Sequence, residues 1–513
     1  MPNEHEGASV RTTDAPTGPG APTGTAATAA VPSGRARWAA LLVLCAGMLM
    51  IVLDATVVNV ALPAIRTDLG FSPAALAWVV NAYLIAFGGL LLLAGRLGDL
   101  LSRRGVFLAG LAVFTAASAA CGLATSKQML VAARFAQGVG GAMTSAVILG
   151  MIVTLFPQPR EQARAIGVFS FVASAGGSVG LLAGGVLTQT LNWHWIFFIN
   201  LPVGVATALA ATRLLDRDRG PGVGRGTDVL GAVLVTAALM LAVYTIVEPA
   251  ARYGWTAPRT LGLGAAALVL LGAFVVREAY AAQPLVPLRL FRSAAVSGAN
   301  AIQALTVAGM FGMFFLGVLY LQEVLGYDAL RTGLAFLPTT LVMGTLSLRY
   351  AERLITRFGT RALLLPGLGM IALGLALFAR VPVHGAYVTD VLPSALLLGA
   401  GVGVAFPALA MLAMSGVAER DAGLASGLVN TTMQVGAAVG LALLATLSAA
   451  RGAAAVRAGA APLVALTQGY RFALVVAAGL VAMAILVAVT VLRPTRAGSA
   501  AAQPAEPVAA AAD

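Results

Sequence analysis

The segment GRLGDLLSRRGVFLAG, Gly95 to Gly110, has a faint second copy in ERLITRFGTRALLLPG, Glu352 to Gly367. In both copies arginine stands at the second and tenth positions, Arg96 and Arg104 in one, Arg353 and Arg361 in the other, and an apolar run follows. Gly167 to Gly180 and Gly427 to Gly440 repeat at nearly the same separation. Between these landmarks lie apolar stretches of about 20 residues, the length that crosses a ~30 Å hydrocarbon core as helix. Fourteen such stretches are expected: 38–62, 75–95, 105–124, 129–153, 164–187, 194–213, 228–247, 260–280, 295–320, 332–350, 361–380, 390–414, 422–447 and 471–492. The repeat steps over eight of them. Two directly joined six-helix halves would give a step of six, so the pattern predicts six helices, two inserted ones, then six more. Parallel halves related by an axis along the membrane normal are a known transporter plan.

Composition agrees. Of 513 residues, 59% are hydrophobic and 10% charged, with mean hydropathy +0.91. A soluble domain carries about 25% charged residues, so an all-α integral membrane protein is expected. The 59 glycines fit close packing of membrane helices. The expected organisation is a disordered tail at 1–37, an N-terminal half at 38–213, inserted helices with flanking loops at 214–293, a C-terminal half at 294–492 and a second tail at 493–513.

Net charge is +12, and Lys127 is the sole lysine. The arginines are scattered in short groups between apolar runs, which argues against a nucleic-acid partner. Most of them fall in the tails and the even-numbered loops, so the positive-inside bias places both termini in the cytoplasm. The Ala-, Gly- and Arg-rich usage suggests a bacterial host, hence the bacterial cytoplasmic membrane. Cys45 and Cys121 lie inside apolar runs and form no metal-ligand spacing. No phosphate loop or HExxH is present, so neither ATP-driven transport by this chain alone nor an enzyme is expected.

Charge inside a membrane helix costs about 2.5–3.5 kcal/mol on insertion scales. Asp54 and Arg134 are the clearest cases. At 1.5 Å per residue they lie about 12 Å and about 8 Å below the outer edge, close enough in depth to pair or to line one cavity. The functional reading is a carboxylate that takes up and releases protons, tuned by Arg134; the alternative is a structural ion pair. Asp99 with Arg103 and Arg104 in a short cytoplasmic loop could latch one conformation, or be a basic loop with one stray acid. Gly176, Gly180 and Gly184 form one stripe at helical spacing, for plain packing or for a sliding contact. Glu248 and Glu323 are expected in solvent near outer helix ends. Trp38, Trp78, Trp193 and Trp195 are expected in an interfacial aromatic belt, with His194 beside them.

Five segments resemble the major facilitator superfamily, in particular its fourteen-helix drug:proton antiporter branch. LDATVVNVALP (Leu53–Pro63) is similar to the acidic motif of helix 1, and Gly95–Arg104 to the signature loop between helices 2 and 3. Arg134, Gln137 and Gly138 fit the helix-4 pattern RxxQG. WHWIFFINLPVG (Trp193–Gly204) and ASGLVNTTMQVG (Ala425–Gly436) resemble the openings of helices 6 and 13. There are departures. Ser102 replaces a usual Gly, Gly180-Leu181 stands where Gly-Pro is usual, His194 replaces Arg, and Thr356 occupies the position equivalent to Asp99.

The resemblance implies two rocking six-helix bundles and export of small hydrophobic drugs or antibiotics in exchange for protons. Asp54 and Arg134 would couple the protons, Gly95, Asp99, Arg103 and Arg104 would form the latch, and Gly176, Gly180 and Gly184 the antiporter motif. Small-molecule substrate, protons and membrane lipids would be its partners. The chain would be a monomer with no cofactor, powered by the proton gradient. Two alternatives stay open: a dedicated exporter of a self-made antibiotic or siderophore, and a non-transporting sensor or scaffold.

Overall fold

The computed structural model describes residues 34–216, 228–282, 284–286, 288–414 and 422–491. Among them there is no strand. The main helices are α1 (Gly34–Leu69), α2 (Trp78–Leu100), α3 (Arg103–Gly122), α4 (Lys127–Leu155), α5 (Pro159–Thr190), α6 (Asn200–Leu214), α7 (Val229–Thr245), α8 (Pro258–Tyr280), α9 (Ala294–Leu319), α10 (Ala329–Thr345), α11 (Thr360–Phe378), α12 (Leu392–Met414), α13 (Ala422–Arg457) and α14 (Pro462–Val491). A short helix, Ala351–Phe358, links α10 to α11.

Twelve helices among the described residues are long and apolar enough to cross a membrane. The other two expected spans are helical as well, as α5 and α10, but their described apolar stretches are shorter. Helix α1 begins at Gly34, inside the stretch expected as a tail, and runs to Leu69. Its polar ends, with Arg35, Arg37 and Arg66, extend the helix beyond the apolar run that defines it in the sequence. The expected tails otherwise lie outside the described residues.

The helices pack as two equivalent bundles. In the first, α1 lies on α5, α2 on α4, and α3 on both α4 and α6. The counterparts, α9 on α13, α10 on α12, and α11 on both α12 and α14, recur in the second. The repeated arginines occupy matching places. Arg104 donates to the carbonyl of Thr212 in the last turn of α6 (2.6 Å), and Arg361 donates to that of Val489 in the last turn of α14 (3.2 Å). Each satisfies a helix-end carbonyl that has no intrahelical partner. The glycine repeat matches too. A Cβ on Gly180 would strike Thr56 of α1, and one on Gly440 would strike Ala308 of α9. Helices α7 and α8 form an antiparallel pair beside the bundles, docked on α2 through Gly89 and Thr236 and on α13 through the Thr446 hydroxyl, which donates to the Ile246 carbonyl.

The bundles meet closely on the face away from the α2–α3 loop. There Gly333 of α10 packs on the Leu181 carbonyl of α5 and Gly185 on that of Ala329. The Gln322 side-chain amide donates to the Val60 carbonyl (2.9 Å), and Arg66 pairs with Glu323.

Candidate functional site: a central cavity and a buried charge pair

Toward the α2–α3 face the bundles separate around a cavity of about 1230 Å³. Its walls come from both halves: Ile51, Phe87 and Leu181 on one side, Phe314, Met343 and Met433 on the other. Arg96, Glu278, Ala281, Leu285 and Arg289 also line it. A cavity of this size, mainly apolar with a few polar groups, suits a drug-sized molecule.

Asp54 and Arg134 meet in the N-terminal bundle. An Arg134 Nη1–Asp54 Oδ2 ion pair closes at 2.5 Å, with 1% and 0% of the two side chains exposed. Burial removes both charges from water, a cost that only full hydrogen bonding offsets. That bonding is present. Arg134 also donates to the Gln137 side-chain oxygen (2.7 Å) and to the Val79 carbonyl (2.9 Å). Asp54 Oδ1 accepts from Gln137 Nε2 (2.7 Å) and Asn200 Nδ2 (3.0 Å). Ser118 accepts from both of those amides and donates to the Phe197 carbonyl. The Arg134 guanidinium carbon sits 4.4 Å from the centre of the Tyr83 ring, within cation–π range. Arg134 and Tyr83 line the cavity, with Asp54 behind them.

Local sequence places these groups. Arg134 and Gln137 lie three apart on α4, hence on one helical face. Gly138 lets α4 approach α2 until a Cβ there would strike the Tyr83 carbonyl, and Gly140 does the same against Phe114 of α3. Asn200 opens α6, directly after the short turn Trp195–Phe198. Gln137 and Asn200 fall within the quoted motifs but their part in holding Asp54 has no one-dimensional signature. Ser118 stands outside those motifs.

The remaining predicted residues lie elsewhere. The stripe Gly176, Gly180, Gly184 faces α1 within its own bundle. Its Cβ positions fall against Leu49 and Val52, against Thr56 and the Leu53 carbonyl, and against the Val57 carbonyl. Helix α5 runs through Leu181 without a break. Of the residues expected in a loop latch, Gly95 lies within α2 and lines the cavity, and Arg103, the first residue of α3, donates to the Gly150 carbonyl of α4 (3.2 Å). Arg104, as above, reaches α6. Asp99 lies in the last turn of α2, and its side chain is outside the described part of the structure. Ser102 caps α3, its hydroxyl accepting from the Gly105 amide (2.9 Å).

Two expectations are corrected. Glu323 is not a solvated outer acid: it pairs with Arg66 across the bundles and accepts from the Tyr470 hydroxyl (2.8 Å). Trp193 is buried, with its indole N–H donating to Asp68 (2.9 Å) and its ring stacked on His194. Glu248 is exposed, as expected.

Comparison with known proteins supplies the family. The sequence profile of the Major Facilitator Superfamily matches residues 44–441. The cephamycin export protein of Amycolatopsis lactamdurans is 41% identical, over 80% of this chain and 84% of its own length. The puromycin resistance protein of Streptomyces alboniger is 38% identical over 92% and 95%. Among solved structures, a bacterial homolog of the human lysosomal transporter Spinster superposes with a TM-score of 0.66 at 17% identity, covering 90% of this chain and 98% of that one. With two equivalent helical bundles around one cavity, and that profile spanning both, the chain belongs to the Major Facilitator Superfamily of membrane transporters.

Proposed function

We propose that this chain exports small, largely apolar antibiotic-like molecules across a bacterial cytoplasmic membrane in exchange for protons, by alternating access of one cavity to the two faces. The observation that carries this reading is the cavity shared by both bundles, with Arg134 in its wall and Asp54 directly behind. The names of the cephamycin and puromycin relatives support an antibiotic as cargo. The arginine bias puts the α2–α3 loop in the cytoplasm, so the cavity opens to the side from which an exporter loads.

In this reading residues 38–213 and 294–492 rock against each other, with 214–293 as the inserted segment. Asp54 is the proton carrier. Its carboxylate is reached from the cavity only when Arg134 swings away, and Gln137, Asn200 and Ser118 hold the group in place meanwhile. Each charge moved across the membrane gains about 2.3 kcal/mol per 100 mV, enough to drive a useful gradient.

The test is proton release from energised inside-out vesicles on addition of antibiotics. The native protein should collapse the pH gradient with a transported compound, and Asp54→Asn should not. Equal collapse by both would remove Asp54 from the coupling path. A second reading, a transporter dedicated to one self-made antibiotic, is favoured because each of these two relatives is named for a single compound. Retention of one metabolite by cells lacking the gene, with no response to a broad drug panel, would select it.

A further inference from the structure

The inserted helices carry two acids that the exchange cycle above does not use. Asp228 caps α7, its Oδ1 accepting from the Gly231 amide (2.9 Å) and from Arg277 Nε (3.0 Å). Glu278, in the last turn of α8, accepts the Val286 amide through Oε2 (2.8 Å). The two residues are 3% and 2% exposed. The remaining oxygen of each, Asp228 Oδ2 and Glu278 Oε1, is buried without a hydrogen-bond partner. Both face one gap: the point a Cβ on Gly231 would occupy lies 2.9 Å from Asp228 Oδ2 and 2.7 Å from Glu278 Oε1.

Two ionised carboxylates cannot share such a gap without a donor between them. Among the described residues the cation bonded to the pair is Arg277, on the far oxygen of Asp228. Arg96 of α2 and Arg289 of the turn Leu288–Arg292 line the same cavity as Glu278. Ala232, Leu285, Val286 and Leu290 cluster with Leu428 of α13, and α2 adds leucines to the same cluster. A single proton on the pair turns one carboxyl into a donor and leaves a neutral set with Arg277.

We propose that Asp228 and Glu278 together hold one dissociable proton, a second proton site of this transporter, separate from Asp54 and built on the inserted helices. Glu278 lines the central cavity, so the proton exchanges with cavity water. Its loss leaves an uncompensated charge against the apolar cluster that joins α7 and α8 to α2 and α13, which loosens that wall. The coupling role rests on the proton-exchange reading above; the existence of the site does not.

Infrared difference spectra of the full-length purified protein, recorded across a pH step, test the site without any transport. The native protein should lose a protonated-carboxyl band as pH rises. Glu278→Gln, which keeps an acceptor for the Val286 amide, should abolish that band, and Asp54→Asn should leave it in place. Gly231→Ala, which drives a methyl into the gap without altering either acid, should shift the pH at which the band is lost. If Glu278→Gln and Gly231→Ala both titrate like the native protein, the site does not exist. If instead the band disappears only in Asp54→Asn, the titrating group is Asp54 and the proposal is overturned.

Discussion

Arg134 stands between Asp54 and the central cavity: its guanidinium closes on the carboxylate at 2.5 Å while the same side chain forms part of the cavity wall. A molecule in the cavity therefore meets Arg134 and Tyr83 before it can influence Asp54. The carboxylate is held by side chains from α4 and α6, so on the proposed cycle the pair must open before Asp54 can take up a proton.

Breaking the pair from either side leaves one buried charge uncompensated, at a cost of about 3–5 kcal/mol. Asp54→Asn and Arg134→Gln should each lower the thermal unfolding midpoint in detergent. The double variant should recover much of that loss while remaining inactive in the vesicle assay. Strict additivity of the two single losses would mean that the residues are not coupled in solution.

The glycine stripe of α5 gives a graded packing test. Gly184→Ala would place a methyl 2.7 Å from the Val57 carbonyl, backbone that cannot yield, and overpacking of this kind costs about 1–3 kcal/mol. Gly177→Ala meets nothing closer than 4.0 Å and should unfold at the native temperature. Equal melting of the two variants would show that α5 is not seated on α1 as described.

Arg66 and Glu323 tie the bundles together on the face opposite the α2–α3 loop, with the pair partly exposed at 29% and 17%. Such pairs are worth about 0–1 kcal/mol, so Glu323→Gln should raise the population open on that face by no more than about fivefold. Labelling of Asn59→Cys, a cavity position, by an impermeant maleimide added from outside the cell would report it. Labelling unchanged by Glu323→Gln would show that the other contacts on that face suffice for closure.

Ser102 supplies the cap of α3 through its hydroxyl. Ser102→Ala should cost about 1 kcal/mol and Ser102→Gly only a few tenths. Chemical denaturation of the two variants side by side distinguishes them. The residue that departs from the family loop is thus compatible with it, because serine and glycine both serve at a helix N-cap.

Local composition and spacing suffice for the helices and for the charges inside them. Runs of apolar residues about 20 long must be membrane helices, because lipid offers their backbone no other partner. Arg104 and Arg361 marked the two halves because each must reach a helix-end carbonyl at the same place in a repeated bundle. Asp54 and Arg134 were legible because charge in an apolar helix is rare and costly. The polar contacts depend on how the helices pack. Asn200 lies 146 residues from Asp54 and reads like any helix-start asparagine until α6 is packed on α3 and α1. Glu323 reads as a solvated acid until α1 brings Arg66 to it, and the meeting of Asp228 with Glu278 appears only where α7 and α8 close over Gly231. Hydropathy records how a residue meets solvent or lipid. Which polar atoms meet one another is fixed by helix packing at distances near 3 Å, and no spacing along the chain encodes that.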